Sequence, residues 1–319
     1  MPEIPGLPRC HAVAPRTCCT LLAGLVSVVS SLAPLSLARA DEEVPPLPTP
    51  FSLASQLDFE CHTAAGPKPA PAVWIRQLNP VLQNVLPNQQ AVLGDLEDVC
   101  VPVAKNQVLP SPDASAIARW SDLACYEASA PPVAVDVNLS HLNPVLADLP
   151  DEQVKLVQLK QLCVPVRKND REFPDRVRAV VSHFDFACYE LEEPTADVDR
   201  PLHLTHLNPV IRDMNLPDRD VRMQRARRLC VPVGKANQPI PLPALRLVRW
   251  LDFLRYRVVP LNAAAVPAVE VPIPLKLTHL NPLFDAVDPF TTTLYAPLKL
   301  MVPVAKNGVL PPNGMVGAE

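Results

Sequence analysis

The sequence predicts a mainly β protein of four tandem small β modules, each of about 65 residues with one short helical turn, packed in an array. Three signatures support this fold class, because Asp-x-x-Cys, Leu-Asn-Pro and Cys-Val-Pro-Val-x-Lys recur along the chain in that order. Apolar residues alternate with polar ones ahead of Leu-Asn-Pro, which is typical of half-buried strands. With 41 prolines against 8 glycines, long helices are also unfavourable, since an internal proline costs a helix about 3 kcal/mol.

The N-terminal region predicts an export signal over residues 1–40. Arg9 and Arg16 precede the apolar stretch 21–38, and an Ala-x-Ala site ends at Ala40. A membrane anchor is the alternative, but Pro34, the serines and the Ala-x-Ala site favour cleavage near Ala40. No second long apolar run follows. We therefore expect a secreted or periplasmic protein whose mature chain has no membrane span.

The signatures also set the boundaries of the modules. The cysteine position of Asp-x-x-Cys recurs after 64, 63 and 67 residues. In the fourth copy Arg255 stands at this position, and Met301 replaces the cysteine before Val-Pro-Val, so we expect a degenerate module without cysteines that caps the array. The predicted parts are a Pro-rich linker 41–50, four modules, called segments 1 to 4 below, and a tail; the segments are 51–112, 113–174, 175–243 and 244–312, and the tail is 313–319.

Within each module the apolar pattern predicts strands. Apolar residues alternate over 133–139 in segment 2 and over 269–277 in segment 4, where Pro272 and Pro274 fall on the polar phase, as an edge strand tolerates. The stretch that ends at Cys163 predicts another strand.

Asn-Pro predicts a single helical turn, with Asn as the cap and Pro in the first turn. The apolar and aromatic stretch Arg178–Tyr189 is interpreted as a strand, although its counterpart Ala116–Trp120 is also compatible with a helix.

The cysteine pattern predicts a disulfide framework. Nine cysteines less three in the signal leave six, and an even number in an exported chain favours disulfides over buried thiols or zinc. The junction from one module's second cysteine to the next module's first position is always 25 residues, which indicates rigid packing of neighbours. Pairing across these junctions would leave Cys61 and Cys230 unpaired. Pairing within modules leaves no cysteine over and explains the joint loss in segment 4; it gives Cys61–Cys100, Cys125–Cys163 and Cys188–Cys230.

Three polar positions recur in register with the signatures. They could form a repeated ligand site, but we favour structural ion pairs and turn caps, because a catalytic centre seldom needs four copies. These residues are Asp58, Asp122, Asp185 and Asp252, Lys105, Lys168, Lys235 and Lys306, and Asn79, Asn143, Asn208 and Asn281.

Histidines precede Leu-Asn-Pro in three segments. They are His141, His206 and His279, with Gln77 in segment 1, and a packing or hydrogen-bonding role is favoured over a metal or proton-transfer role. His203 and His206 lie three apart on a predicted strand, where they would face opposite sides and make a poor metal site.

Other positions either recur weakly or depart from the pattern. Trp120 and Trp250 are expected to complete a core rather than to bind a ligand. Arg255, His62 and the basic run Arg219–Arg228 are the main asymmetries between segments; the run could bind an acidic ligand, but a solvated strand face is favoured.

Several function classes are disfavoured by what the sequence lacks. A net charge of −4 does not suggest nucleic-acid binding. The chain contains no Gly-x-Ser-x-Gly, His-Glu-x-x-His, P-loop or dinucleotide fingerprint. We therefore assign no catalytic residue, no metal and no cofactor.

The motif pair Asp-x-x-Cys-Tyr and Leu-Cys-Val-Pro-Val-x-Lys resembles tandem domains of unknown function in secreted bacterial proteins. The resemblance covers roughly residues 51 to 310 and implies an exported, bacterial, β-rich module without an assigned activity. Segment 1 departs from it at Cys61-His62, which lacks the tyrosine, and segment 4 lacks both cysteines.

Regular repetition without a singular polar constellation predicts a non-enzymatic repeat protein with a structural, adhesive or ligand-binding role. Its partner is unknown, and a surface polymer or a protein ligand is possible. The rival hypothesis is a secreted hydrolase or carbohydrate-active enzyme with its site between modules, which predicts unmatched polar residues clustered in space.

Overall fold

The computed structural model describes residues 46–235, 238–261 and 272–314. Within them the chain forms thirteen antiparallel strands that belong to one sheet, and five short α-helices. The mainly β class is therefore confirmed. The array of four separate modules is not confirmed, because strands from all four segments share the sheet. The predicted signal peptide lies outside the described residues.

Each segment contributes elements in the same order: a helix, two strands, a tight turn at Asn-Pro and a long strand. The helices are α1 (Pro50–Gln56), α2 (Pro112–Ala118), α3 (Asp175–Val181) and α5 (Leu242–Val248); the first strands are β1 (Asp58–Gly66), β4 (Asp122–Ser129), β7 (Phe186–Leu191) and β10 (Phe253–Pro260). The second strands are β2 (Ala72–Gln77), β5 (Val135–His141), β8 (Arg200–His206) and β11 (Ile273–His279). The long strands are β3 (Gln89–Lys105), β6 (Glu152–Lys168) and β9 (Arg219–Lys235); segment 4 has β12 (Phe290–Leu294) and β13 (Pro297–Lys306) instead.

Eight of these strands pair in a closed ring. The order is β1–β3–β4–β6–β7–β9–β10–β13, and β13 pairs again with β1. Each first strand therefore lies between the long strand of its own segment and that of a neighbouring segment. Segment 4 is bonded on both sides, so the prediction that it caps an array is wrong: its strands close the ring onto segment 1.

The second strands join segments that are two apart. Each pairs with its own segment and, at its other end, with the last residues of a long strand two segments away: β2 with β9, β8 with β3, β5 with β13 and β11 with β6. These pairings form between residues distant in sequence, so they bind the segments to one another rather than to themselves.

A seven-residue helix precedes each Asp-x-x-Cys position, so the expectation of one helical turn per module is wrong. The interpretation of Arg178–Tyr189 as a strand fails in its first half, since α3 runs to Val181 and β7 begins at Phe186. Val177, Val180 and Val181 follow helical spacing and are all buried. This apolar stripe explains why the stretch is helical.

The Asn-Pro positions form tight turns, as predicted. Short 3₁₀-helices cover Pro144–Leu146 and Pro282–Phe284, and α4 covers Pro209–Asp213. The Asn143 side chain caps its turn by accepting a hydrogen bond from the Val145 N–H at 2.9 Å. In segment 1 the same cap on Asn79 stabilises hydrogen-bonded turns rather than a helix. In segment 4 the predicted strand begins only at Ile273, and residues 269–271 lie outside the described ones.

The ring separates two apolar cores. The inner core contains the six cysteines, the four helices that precede the first strands and a cluster of phenylalanines. Phe253 contacts Phe59 and Phe186, with ring centroids 5.3 and 5.2 Å apart, so side chains from three segments meet inside the ring. The outer core lies on the other face of the same strands, under the second strands.

Candidate functional site

The recurring polar residues form one contact set that appears four times. Each aspartate binds the lysine of its own segment: Lys105–Asp58, Lys168–Asp122, Lys235–Asp185 and Lys306–Asp252. Each also accepts a hydrogen bond from an asparagine of the next segment: Asn143 to Asp58 (2.9 Å), Asn208 to Asp122 (2.6 Å), Asn281 to Asp185 (2.8 Å) and Asn79 to Asp252 (2.6 Å). All twelve residues are buried. The signatures thus tie each segment to its neighbour, and Asn79 completes the circle.

Burial dominates the electrostatics of these pairs. It raises the pKa of Asp122, Asp185 and Asp252 to about 6, although the lysine beside each carboxylate acts in the opposite direction. It lowers the pKa of Lys235 to about 8. Each such ion pair connects the two strands that carry its partners. Removal of one partner leaves an uncompensated buried charge.

The six cysteines lie side by side inside the ring. The structure bonds Cys61 to Cys100, Cys125 to Cys163 and Cys188 to Cys230. Neighbouring disulfides touch, because the sulfur atoms of Cys100 and Cys125 lie 3.7 Å apart. The 25-residue spacing between Cys100 and Cys125 therefore places the disulfides of neighbouring segments in direct contact.

The histidines before Leu-Asn-Pro contact tyrosines two segments away. His279 Nε2 lies 2.8 Å from the Tyr126 hydroxyl, and His141 Nε2 lies 2.9 Å from the Tyr256 hydroxyl. Gln77 donates to the Tyr189 hydroxyl at 3.0 Å. A hydrogen-bonding role for this position agrees with these contacts.

The fourth pair is different, because segment 1 carries His62 in place of the tyrosine. His62 and His206 stack with ring centroids 6.3 Å apart, and their Nε2 atoms lie 3.7 and 3.8 Å from the Glu60 carboxylate. Arg219 binds the other Glu60 oxygen at 3.0 Å. Burial lowers the pKa of His62 to about 3 and that of His206 to about 4. Sequence reasoning missed Glu60; its signal is a carboxylate where the other segments carry Ala124, Ala187 and Leu254.

A second polar cluster lies inside the ring, where Arg255 occupies a cysteine position. The Arg255 guanidinium donates to Asp98 and to the Gln161 amide oxygen, and Lys299 donates to Asp98 at 2.6 Å. Asp98 and Gln161 are fully buried. Burial by itself raises the pKa of Asp98, but Arg255 and Lys299 outweigh it and hold that pKa at about 2.

One recurring sequence position contributes to this cluster. Asp98, Gln161, Arg228 and Lys299 each stand two residues before the long-strand cysteine position of their segment. Arg228 lies 3.7 Å from Glu97, and burial followed by the nearby Arg255 charge lowers its pKa. Four different polar side chains thus occupy one structural position inside the ring.

The basic run does not form one surface. Arg219 binds buried Glu60, whereas Arg222 and Arg225 pair with Asp199 and Asp197 at 2.6 and 3.7 Å. The strand alternation of β9 therefore divides the run between faces, and each of these arginines contacts a carboxylate.

The two tryptophans and the His-x-x-His pair do not come together in a common site. Trp120 is half-buried and stacks on Phe173, with ring centroids 5.2 Å apart, and Trp250 is half-buried beside Arg249. His203 contacts Asp220 at 2.8 Å on the outside of β8, whereas His206 is buried on its inner face. The two histidines therefore face opposite sides.

A groove of about 530 Å³ lies beside the end of β8. Leu109, Leu207 and Leu216 give it apolar walls, and Thr205, His206, Arg212, Asn215 and Asp218 give it polar ones. Thr205 donates to Asp218 at 2.9 Å. The exposed Arg212 side chain forms no ion pair with any residue in the described part of the chain.

The described residues contain no group of three or more His, Cys, Asp and Glu side chains that could hold a metal ion. In the same part of the chain no helix has the length and apolarity needed to cross a membrane.

Comparison of the chain with family models, with curated proteins and with solved structures found no match.

Proposed function

We propose that this chain is an exported, non-enzymatic protein in which four repeated segments build one rigid scaffold for a ligand-binding role. The single observation that carries the proposal is that the signature residues contact one another in the interior. Every recurring Asp, Lys and Asn is buried and bonded to another signature residue. These side chains are therefore buried in contacts within and between segments, which supports a role in stabilising the fold.

Export is supported by the cysteine chemistry together with the N-terminal pattern. Three buried disulfides persist in an oxidising compartment and are rare in a reducing cytosol. A signal over residues 1–40 with cleavage near Ala40 would deliver the chain to the periplasm or outside the cell, as the resemblance to secreted bacterial domains implies.

The groove beside β8 is the surface that we propose for binding. Its three leucines suit apolar side chains. Arg212, which forms no ion pair within the described residues, suits a carboxylate. The occupant that we propose is an extended peptide of a protein partner that carries acidic and leucine-like residues. A surface polysaccharide is the other outcome that the test distinguishes.

The rival function, a hydrolase or carbohydrate-active enzyme, predicts clustered unmatched polar residues, and the Arg255 cluster is such a group. Its chemistry argues against hydrolysis. With a pKa of about 2 and two cationic partners, Asp98 neither donates a proton near neutral pH nor acts as an effective base.

The test uses the mature chain, residues 41–319. We expect no turnover of glycosidic, ester or peptide substrates, and binding of a labelled Leu/Glu peptide that a Leu/Lys peptide does not show. Arg212→Glu should weaken that binding about tenfold, or ~1.4 kcal/mol. Arg227→Glu is the control, because Arg227 is also exposed but does not line the groove. Turnover abolished by Arg255→Met would overturn the non-enzymatic proposal, and binding of an anionic polysaccharide alone would overturn the peptide ligand.

A further inference from the structure

The three disulfides form a continuous row of six sulfur atoms. Cys100 Sγ lies 3.7 Å from Cys125 Sγ, and Cys163 Sγ lies 3.8 Å from Cys188 Sγ. Bonds and contacts therefore alternate from Cys61 to Cys230 along the inner face of the ring. All six cysteines are fully buried.

The strand register explains why the junction pairs are so close. Cys100 is opposite Leu123, which is two residues from Cys125, and Cys163 is opposite Phe186, two residues from Cys188. Residues two apart on a strand share a face, so the sulfurs are diagonal neighbours. A bond of about 2.05 Å would require each junction pair to approach by only about 1.7 Å.

We propose that the six cysteines form a chain for internal thiol–disulfide exchange, along which a free thiol moves between Cys61 and Cys230 without opening the ring. Exchange proceeds by attack of a thiolate on a disulfide sulfur. The sulfur contacts of 3.7 and 3.8 Å place each junction partner next to an existing disulfide, as such an attack requires.

Each step is balanced without an oxidant. When Cys100 is free, its thiolate attacks Cys125 Sγ; the Cys100–Cys125 bond forms, the Cys125–Cys163 bond breaks, and the electron pair leaves on Cys163. The Cys163 thiolate then attacks Cys188 Sγ, and Cys230 leaves as the thiolate. The proton lost by Cys100 is taken up where the free thiol ends.

Segment 4 ends the chain of exchange. Phe253 is opposite Cys230, just as Leu123 is opposite Cys100, so Arg255 holds the position that the next cysteine would take. Neither Arg255 nor Met301 can accept a thiolate.

Exchange of this kind corrects the pairing during oxidative folding. Pairing across the junctions leaves Cys61 and Cys230 free at opposite ends of the row. Attack by Cys61 on Cys100, followed by attack of Cys125 on Cys163, restores two native bonds and frees Cys188. Its register partner is Cys230, so the last two thiols then lie opposite each other.

The test is Cys61→Ser in the full mature chain. The folded variant is held at about pH 8.5, where an ordinary thiol is half ionised. It is then quenched in acid, denatured, alkylated and mapped without reduction. Static pairing leaves the label on Cys100. We expect more than half of the label on Cys163 and Cys230, and label confined to Cys100 would overturn the proposal.

Two further variants distinguish stepwise exchange along the row of cysteines, the relay, from exchange through unfolding. In Cys61→Ser/Cys125→Ser/Cys163→Ser the middle disulfide is gone, so the label should stay on Cys100. Label on Cys188 or Cys230 there would show exchange through unfolding and would contradict a relay. Cys230→Ser starts the free thiol at Cys188 and should move the label to Cys125 and Cys61. It provides an independent test if Cys61→Ser does not fold, and label confined to Cys188 would count against the proposal.

Discussion

At the scale of single residues, each buried ion pair holds the carboxylate to which the next segment is hydrogen-bonded. Lys168 and Asp122 are both buried, and Asn208 of the next segment donates to the same carboxylate. Lys155 and Glu192 form an ion pair too, at 2.8 Å, but both side chains are substantially exposed. The two pairs differ in burial, so their contributions to stability should differ as well.

We expect Lys168→Met to lower the free energy of unfolding by about 3–5 kcal/mol, since it leaves the Asp122 carboxylate buried without its cation. The measurement is denaturant unfolding with disulfides intact. Lys155→Met is the matched control and should cost less than about 1 kcal/mol. Equal losses in the two variants would mean that burial adds nothing to the contribution of the Lys168–Asp122 pair.

The buried histidines make stability depend on pH. Burial lowers the pKa of His279 to about 4, against 6.5 for an ordinary imidazole. Between these values the unfolded chain binds a proton that the folded chain does not, so stability falls as the pH drops from 6.5 to 4.

His279→Gln introduces the residue that segment 1 carries as Gln77, which also reaches a tyrosine hydroxyl. We expect the loss of stability between pH 6.5 and 4 to be smaller in this variant by about 2–3 kcal/mol. The comparison is denaturant unfolding of both proteins across that range. Identical pH profiles would show that His279 is not buried in its neutral form.

At the scale of elements, first and long strands pair with cysteine positions directly opposite each other. Arg255 and Met301 have the same register on β10 and β13 as the bonded cysteines have on the other strand pairs. The fourth segment thus has the backbone geometry of a disulfide position although neither residue is a cysteine.

We expect Arg255→Cys/Met301→Cys to form a fourth disulfide under oxidising conditions. The gain in stability should fall short of the ~4 kcal/mol typical of a loop this long, because Asp98 loses Arg255 as a partner. Adding Asp98→Asn should restore part of it. Thiol counting checks the bond, and two free thiols in the oxidised double variant would refute the register.

Strands and Asn-Pro turns could be predicted from the sequence because period-two alternation and capping residues are local signals. The strand interpretation is wrong for α3, where Val177, Val180 and Val181 lie in a short apolar stretch that suits either structure, whereas Ala116–Trp120 is compatible with the helix α2. A local pattern does not distinguish helix from strand in such a stretch. The inner core favours the helix, because it buries the apolar stripe on one helical face.

At the scale of the whole molecule, the sequence could not show that the strands close into a ring. Four repeats in one order are equally consistent with an open array and with a ring, since both place each segment beside the next. The pairing of β1 with β13 and the hydrogen bond from Asn79 to Asp252 distinguish the ring from the array. The Arg255 cluster was unforeseen for the same reason, because Asp98, Gln161 and Lys299 meet only when the ring is closed.

A closed ring should unfold as one unit, whereas an array should lose its segments separately. The chain carries its own probes, with Trp74 in segment 1, Trp120 in segment 2 and Trp250 in segment 4. We expect variants that keep only one of these tryptophans to show the same denaturant midpoint by fluorescence. Midpoints that differ between segments would favour independent modules.

The most direct measurement of closure is amide hydrogen exchange of β1 in the mature chain and in a chain that ends at residue 243. Removal of segment 4 deletes β13, one of the two strands that flank β1. The closed ring predicts that β1 and β3, far from the truncation in sequence, lose their protection against exchange in the shorter chain. Full protection of β1 and β3 without segment 4 would contradict the ring and restore the array of separate modules.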